Sequence, residues 1–344
     1  MTVSSLRPRW SRAAVVQLAA VLGLGVVLAL VCASLVGVEH VSLLRALREP
    51  GSDDATILFR ARLPRVLLAA LIGAALAPSG VAFQALLGNP LADPYVLGVS
   101  GGAAAAGTAA LVLFGASGLS SAVVLPFFAF LGALGAVALV LLFGRVRGVL
   151  VPTVALLAGV VLNALMSAVI VGIRVVAQPS AAHEALYWLS GSIQTAPPLA
   201  LGALALYLVA SLVVLQRHAV SMNALTIGGE AAQALGVDVS RTRRTNFLTA
   251  SLLTGAAVAL AGPIGFVGIV VPHTLRLLLG SDHRALVVAS ALGGAIFLVL
   301  ADTLTRMSFL VLGVEPTVGV LTALIGAPFF LVLLRQRGLG GASL

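Results

Sequence analysis

The chain has 344 residues, of which 60% are hydrophobic and 9% are charged, and its formal net charge is +9. A soluble domain has about 25% charged residues, so this composition excludes a mainly soluble protein and is typical of a polytopic membrane protein. All twenty Lys or Arg residues are arginines, and they form no stripe or motif that would indicate a nucleic-acid partner.

Ten apolar segments are predicted to cross the membrane as helices. One of them, 264–279, is short, rich in glycine at its start and contains Pro272, whereas the others are long enough for about 30 Å of hydrocarbon. The longer segments are 13–36, 63–87, 95–115, 122–144, 151–176, 197–216, 246–262, 285–304 and 317–335. The first is too long for a signal peptide and is interpreted as a retained span. We therefore predict an all-α polytopic membrane protein of about ten transmembrane helices, with 1–344 as a single transmembrane domain.

The arginines predict the orientation of these helices, because membrane proteins concentrate Arg and Lys in their cytoplasmic loops. Both tails carry arginine, so both termini are expected in the cytoplasm, which requires an even number of spans. The tail arginines are Arg7, Arg9, Arg12, Arg335 and Arg337. Residues 1–12 then form a cytoplasmic tail, 37–61 a periplasmic loop and 217–245 a cytoplasmic loop.

Arg60, Arg62 and Arg65 lie at the start of the second span, on the predicted outer side of the membrane. Arginine is depleted on this side, and the N-terminal end of a helix dipole disfavours cations. An acidic partner that docks from outside would explain the cluster. Arg306 also lies on the predicted outer side, and it is expected to pair with Asp302 as an i, i+4 neighbour.

The segment Asn89–Pro94 breaks the chain between two spans, because two prolines prevent a continuous helix there. Non-helical backbone at the membrane edge is tolerated where it is buried in protein or lines a cavity. Asn89 and Leu91 could therefore form a simple tight turn, or they could close a pore by packing against a symmetry-related copy.

The cytoplasmic loop 217–245 is predicted to contain a short helix from Glu230 to Leu235, closed by Gly236 in the C-terminal capping position. A short helix in a cytoplasmic loop can be a docking element for a partner, or it can be a solvated connector.

Small residues recur in two similar segments, Gly73–Gly80 and Gly255–Gly262, which share the pattern G-A-A-φ-A-x-x-G. Two related halves of five spans would explain this repeat. These glycines, together with Gly101 and Gly102, are expected to allow close approach of helices in the membrane.

The sequence contains no catalytic constellation. A chain without lysine cannot contain the phosphate-binding motif G-x-x-x-x-G-K-[ST], and the motif H-E-x-x-H is absent. The single cysteine, Cys32, lies inside the first span and cannot build a disulfide or a thiolate metal site. Neither enzymatic activity nor a bound metal is therefore expected. Ionisable residues deep in the spans are scarce, which disfavours a secondary transporter driven by an ion gradient.

Taken together, the motifs resemble those of FecCD-type, or type II, permease subunits of ABC importers for iron chelates, heme and cobalamin. In chain order they are Arg62-Leu-Pro-Arg65, Gly73–Gly80, Asn89-Pro-Leu-Ala92, Leu97-Gly-Val-Ser-Gly-Gly102, Gly262-Pro-Ile-Gly-Phe-Val-Gly268, Val271-Pro-His-Thr-Leu-Arg276, Asp282-His-Arg284 and Leu324-Ile-Gly-Ala-Pro-Phe-Phe330. The resemblance covers about 13–338. It implies a homodimer around a central pathway in the bacterial inner membrane, with two ATP-binding subunits below it and a periplasmic substrate-binding protein above it.

The resemblance also implies roles for particular residues. Arg62, Arg65 and Arg306 match positions that meet acidic side chains of the binding protein, and Asn89 and Leu91 match the cytoplasmic gate. The residues that match the family's ATPase-coupling helix are Gly229, Glu230, Ala231, Leu235 and Gly236. ATP and Mg²⁺ are expected on the partner ATPase, and this chain is expected to bind no cofactor and to contact only protein partners and membrane lipid.

The cargo is less defined than the family. Heme is expected because the pathway is predicted to be poor in charge and would tolerate a flat apolar macrocycle, while a ferric siderophore and cobalamin are the alternatives. His273 lies in a motif that the family shares whatever the cargo, so it is not interpreted as a heme ligand. One departure from the family pattern is Pro316, which follows Glu315 directly and puts the geometry of that turn in doubt.

Overall fold

The computed structural model describes residues 10–114 and 121–340, so the predicted tail arginines Arg7 and Arg9 lie outside the described residues. The first half contains α1 (Arg12–Leu35), α2 (Leu43–Arg48), α3 (Asp53–Thr56), a π-helical segment (Ile57–Arg62), α4 (Leu63–Leu87), a 3₁₀ turn (Pro94–Leu97), α5 (Val99–Phe114) and α6 (Ser121–Phe143). The second half contains β1 (Arg145–Val146), β2 (Val149–Leu150), α7 (Pro152–Val176), α8 (Pro179–Leu189), α9 (Pro198–Leu225), α10 (Gly229–Ala234), α11 (Val239–Ala261), α12 (Val267–Leu279), α13 (His283–Leu312) and α14 (Val318–Gly340).

The helices confirm the prediction of an all-α polytopic membrane protein. Six helical segments of the described residues are long and apolar enough to cross a membrane, and shorter apolar helices follow at α5, α12 and α14. The remaining predicted span, 246–262, corresponds to α11. The two strands form only a small antiparallel ribbon between α6 and α7.

The predicted cytoplasmic loop 217–245 is shorter than expected, because the helices on both sides extend into it. α9 continues to Leu225 and α11 begins at Val239. The hydrophobic pattern marks only the part of a helix that lies in hydrocarbon, whereas these extensions are held by polar contacts. In the extension of α9, the Asn223 side chain donates to Oδ1 of Asp282 at 2.9 Å.

The predicted periplasmic loop is folded as well. α2, α3 and the π-helical segment enclose a small core of their own, formed by Ala46, Ala55 and Leu58. This core holds the segment that leads into α4. The sequence pattern did not predict it, because these helices are only one or two turns long.

α4 is the central helix of the bundle and is buried along most of its length. It packs most extensively against α13, and α9, α11 and α12 cover its other faces. At the crossing with α13, a Cβ atom built on Gly73 would lie 2.0 Å from the carbonyl oxygen of Gly294. At the crossing with α12, a Cβ on Gly80 would lie at the same distance from the oxygen of Gly268. The backbones touch at both places, which confirms the predicted role of these two glycines.

The same kind of contact joins α5 and α6. A Cβ on Gly102 would lie 2.5 Å from the carbonyl oxygen of Gly132. A Cβ on Gly101 would lie 2.4 Å from Oδ1 of Asn163 in α7. Gly255 of α11 meets Ala133 of α6 in a similar way. Gly262 also allows a close approach, although it lies at the end of α11 with a φ of +69°: a Cβ on it would lie 2.1 Å from the carbonyl oxygen of Trp188 in α8.

We predict that Gly73→Ala lowers the free energy of unfolding by about 1–3 kcal/mol, because the added methyl group forces two touching backbones apart. The thermal midpoint of the detergent-solubilised protein measures this effect. Gly135→Ala on α6 is the matched control, since no described atom lies within 4 Å of the added Cβ and alanine favours helix more than glycine does. Equal midpoints for the two variants would contradict the packing account.

Candidate docking and coupling sites

A buried carboxylate, Asp302 of α13, holds the predicted outer ends of two long helices together. Its side chain is 0% exposed and lies between two arginines. Arg65 at the start of α4 donates from Nε to Oδ1 at 2.9 Å, and Arg306, one turn further along α13, donates from Nε to Oδ2 at 3.1 Å. The predicted i, i+4 pair is therefore present. The pairing with Arg65 joins α13 to α4.

Arg65 has a second carboxylate partner, Glu315, in the segment between α13 and α14. The side chain of Glu315 is 33% exposed and that of Arg65 is 21% exposed, so this ion pair lies at the rim of the cluster. Arg65 thus binds one carboxylate in the interior and one at the surface, and these two carboxylates compensate its positive charge.

Two arginines cap the C-terminal end of α1, where backbone carbonyls lack partners within the helix. Arg306 donates to the carbonyls of Val36 at 2.9 Å and Ala33 at 3.0 Å, and Arg62 donates to the carbonyl of Leu35 at 3.1 Å. α1 has no basic residue in its own last turn. The two guanidinium groups therefore supply the positive charge that favours a helix C-terminus, and they fasten α1 to α4 and α13.

Arg62, Arg65 and Arg306 are not free cations. Arg62 and Arg306 are each only 8% exposed, and their guanidinium groups are bound to internal acceptors. Apart from Asp302, which was expected to pair with Arg306, the sequence did not indicate these acceptors, because they are backbone carbonyls distant in the chain. Arg65 remains partly accessible, while Arg60 is exposed in the loop. Docking of an acidic partner at the three positions stays a prediction.

A cavity of about 510 Å³ lies beside this cluster. Three arginines and two carboxylates line it, together with uncharged residues that include Tyr187 and Thr195. The charged residues are Arg62, Arg65, Arg306, Glu39 and Glu315. The cavity therefore offers both signs of charge to a partner that approaches from the predicted outer side.

The turn that contains Pro316 is well anchored. Thr317 Oγ1 donates to the carbonyl of Ser190 at 3.0 Å, and the amide of Gly319 donates to the carbonyl of Gly191 at 2.9 Å. These bonds fix the start of α14 to the end of α8. Glu315, directly before Pro316, lies where it pairs with Arg65.

The short helix predicted in the cytoplasmic loop is α10. It ends at Ala234. Gly236 follows with a φ of +82°, a backbone conformation that residues other than glycine rarely adopt. The amide of Gly236 donates to Gln233 at 2.8 Å, which confirms the predicted closing position. Ala232 is buried, whereas Leu235 is 59% exposed. Ala232 thus packs α10 against a small apolar cluster with Leu225 and Val239, whereas Leu235 is exposed to solvent.

A hydrogen-bond network connects the end of α9, just before α10, with the turn between α12 and α13. Asn223 donates to Asp282 at 2.9 Å and accepts from the amide of His283 at 2.9 Å. Asp282 also pairs with Arg284 at 3.1 Å, and Arg284 donates to the carbonyl of Trp10. The sequence motif Asp282-His-Arg284 did not predict this network. The signal that could have indicated it is a polar triplet directly before a long apolar run.

Asp282 is held in its charged form. Burial acts to raise its pKa, but hydrogen bonds from Arg284 and Asn223 outweigh burial and leave the pKa of Asp282 below its usual value. The network therefore contains a permanent charge pair at neutral pH.

The break between α4 and α5 is a compact turn. Asn89 is exposed and its Oδ1 accepts from the amide of Leu91 at 3.0 Å, which is the geometry of a side chain that replaces a backbone turn. Further along, the hydroxyl of Tyr95 accepts from the amide of Ile264 at 2.7 Å and ties the segment to the start of α12. The turn is thus confirmed, and the gate role of Asn89 and Leu91 stays a prediction.

Within residues 10–114 and 121–340, no group of three His, Cys, Asp or Glu residues is placed to hold a metal ion. His273 is buried in α12, where its ring lies edge-on to Phe329 with the ring centres 5.9 Å apart. Its environment is a packed one.

Residues 21–336 match the model of the FecCD transport family. The chain is 44% identical over 278 residues to the cobalamin import system permease protein BtuC of Halobacterium salinarum, which covers 80% of this chain and 72% of the relative. It is 39% identical over 298 residues to the hemin transport system permease protein HmuU of Yersinia pestis, with 85% and 88% covered. A solved structure of a metal-chelate type ABC transporter in an inward-facing conformation is 31% identical, with a TM-score of 0.78, and the match covers 92% of this chain and 99% of that chain.

We predict that Asp302→Asn lowers the free energy of unfolding by about 3 kcal/mol or more, because it leaves two arginines at least partly buried without their shared charge. The thermal midpoint of the purified protein measures the change. Glu49→Gln is the matched control: it removes a carboxylate that pairs with Arg45 at the surface, where both side chains are about 60% exposed, and it should have little effect. A midpoint for Asp302→Asn as high as that of the control would contradict the central role of this carboxylate.

Proposed function

Because the chain belongs to the FecCD transport family, we propose that it is the membrane-spanning permease subunit of an ATP-driven importer for a metal chelate. The observation that carries this proposal is the match over nearly the whole chain, which includes both ends of the helical bundle. Both relatives described above are named as permease proteins of import or transport systems. ATP hydrolysis belongs to a separate subunit in this proposal, and ATP and Mg²⁺ bind there.

The arginine end of the bundle is the proposed docking site for a periplasmic substrate-binding protein. Arg65 is the accessible cation, and acidic side chains of the binding protein would contact it first. Arg62 and Arg306 lie behind it, where their charges raise the local positive potential and contribute mainly to orientation and the association rate. A homodimer presents the site twice, which suits a binding protein with two lobes.

α10 is the proposed contact with the ATP-binding subunits. Leu235 and Glu230 face outwards there, while Gly229 and Gly236 mark its two ends, and Ala231 lies on the partly exposed side. A movement of α10 would pass to α9 through the buried contact of Ala232 with Leu225. The network around Asn223 and Asp282 would then carry it to α12 and α13, so that helices move as rigid bodies.

Asn89 and Leu91 are the proposed cytoplasmic gate. Both lie in a turn that two copies of the chain would bring together at a two-fold axis. The turn is fixed by its own hydrogen bonds and by Tyr95, so it would move with α4 and α5 as a unit.

Within the class of metal chelates, we propose heme as the cargo. α7 and α14 expose apolar side chains such as Val161, Leu165 and Leu324. If these helices line the pathway between two copies, its walls would tolerate a flat apolar macrocycle. The relatives carry names of both cobalamin and hemin systems, so cobalamin and a ferric siderophore are tested beside heme.

A secondary transporter driven by an ion gradient is the competing function. It would need a buried carboxylate that can bind and release a proton or a cation. Among the residues that the structure describes, Asp302 is the carboxylate buried inside the long helices, and two arginines already neutralise it. This observation favours the ATP-driven importer.

The experiment is uptake into proteoliposomes that contain this chain, the ATP-binding subunit from the same gene cluster and the cognate binding protein. We expect uptake of heme that requires ATP, with no uptake of cobalamin or ferric siderophore. Uptake of a different chelate would replace the cargo and keep the mechanism. Uptake driven by an ion gradient without ATP would contradict the proposed function.

A variant of α10 tests the coupling in the same assay. Leu235→Asp should abolish ATP-driven uptake, because it places a charge in the proposed apolar contact with the ATP-binding subunit. Val146→Asp is the matched control, since Val146 is an exposed apolar residue in the ribbon on the same predicted side. Wild-type uptake in the Leu235 variant would remove α10 from the proposal.

A further inference from the structure

The two carboxylates that bind Arg65 differ in accessibility. Asp302 is fully buried and also holds Arg306, so it cannot leave without exposing two arginines to an uncompensated environment. Glu315 is one-third exposed, and Arg65 is its one ion-pair partner within residues 10–114 and 121–340. The ion pair of Arg65 with Asp302 is therefore permanent, whereas the ion pair with Glu315 can exchange.

Glu315 is held in place by its backbone. α13 ends at Leu312 and is capped by Gly313, two residues before Glu315, and Thr317, two residues after Glu315, donates to the carbonyl of Ser190. Pro316 restricts the residue before it to extended conformations, which limits the directions that the Glu315 side chain can take. A short segment fixed at both ends thus presents this carboxylate to Arg65.

The same position is the one that a partner would use. The cavity of about 510 Å³ opens beside Arg65 and is lined by both Arg65 and Glu315. The two carboxylates share one nitrogen of Arg65, because Nη2 lies 2.8 Å from Oδ1 of Asp302 and also donates to Glu315. An acidic side chain that arrives through the cavity therefore meets Arg65 next to Glu315, which is the more exposed of the two carboxylates.

We propose that Glu315 is an internal competitor for the docking partner: it binds Arg65 in the free permease, and an acidic side chain of the binding protein displaces it. This inference rests on the proposed function, because it assumes that Arg65 is a docking residue. Exchange keeps one exposed carboxylate on Arg65 at all times, so the charge of the cluster stays balanced when the partner binds and leaves. It also weakens docking, which favours release of the empty binding protein.

The inference predicts that removing the carboxylate of Glu315 strengthens docking of the binding protein. Glu315→Gln should tighten binding of the binding protein by about two- to fivefold, the range that partly exposed ion pairs contribute. The measurement is the Kd between the cognate binding protein and the permease–ATPase complex in nanodiscs, at one fixed low salt concentration. The thermal midpoint of each complex is recorded alongside, to verify that the variants are folded.

Two further variants separate the possible causes. Glu39→Gln removes a carboxylate that lines the same cavity but forms no ion pair among the residues that the structure describes. It reports how much the general loss of negative charge changes the Kd. Arg65→Gln reports whether Arg65 takes part in docking at all.

Tighter binding for Glu315→Gln than for Glu39→Gln, with weaker binding for Arg65→Gln, supports the exchange. If Arg65→Gln weakens binding but Glu315→Gln leaves it unchanged or weakens it, the competitor role is overturned and the docking role of Arg65 stands. If Arg65→Gln binds like the wild type, the docking proposal is overturned together with this inference.

Discussion

The predicted outer end of this protein depends on one buried carboxylate. Asp302 neutralises Arg65 and Arg306, and through them it connects α13 with α4 and with the end of α1. A buried charge without a partner is costly, so the two arginines could not occupy these positions without it. Asp302 binds Arg306 through Nε, so the two Nη groups of Arg306 can donate to the carbonyls at the end of α1. Apart from this contact, α1 lies at the periphery of the bundle. One acidic residue thereby sets the positions of three long helices and of the cavity beside them.

The opposite end of the bundle is connected in a different way. There, Asn223, Asp282, Arg284 and Trp10 form a chain of hydrogen bonds at the helix ends, close to α10. Between the two ends, α4 contacts α13 and α12 through the backbones of glycines. No flexible side chain separates the helices at these contacts. A displacement applied at α10 would thus reach the outer end through stiff contacts, as a transporter with separate docking and ATPase sites requires.

Much of the fold could be predicted from the sequence, because apolar length and small residues are local signals. The ten spans, the closing of α10 by Gly236 and the pair of Asp302 with Arg306 all depend on residues near one another in the chain. The small residues at Gly73 and Gly80 indicated that helices cross there, but not which helices. The partners of Arg62 and the link from Arg65 to Asp302 join residues that are distant in sequence, the latter by 237 positions. No periodicity encodes such pairs. The sequence also misplaced two helix ends: α9 continues to Leu225 and α11 begins at Val239. The turns beyond the hydrocarbon are polar, and their composition is the same as that of a loop.

The most direct test of the account is the structure of the permease bound to its substrate-binding protein, determined by electron cryo-microscopy. The account predicts that Arg65 keeps its bond to Asp302, that Glu315 has moved away, and that a carboxylate of the binding protein occupies its place. A complex in which Arg65 and Glu315 remain paired, with the acidic residues of the partner bound elsewhere, would contradict it.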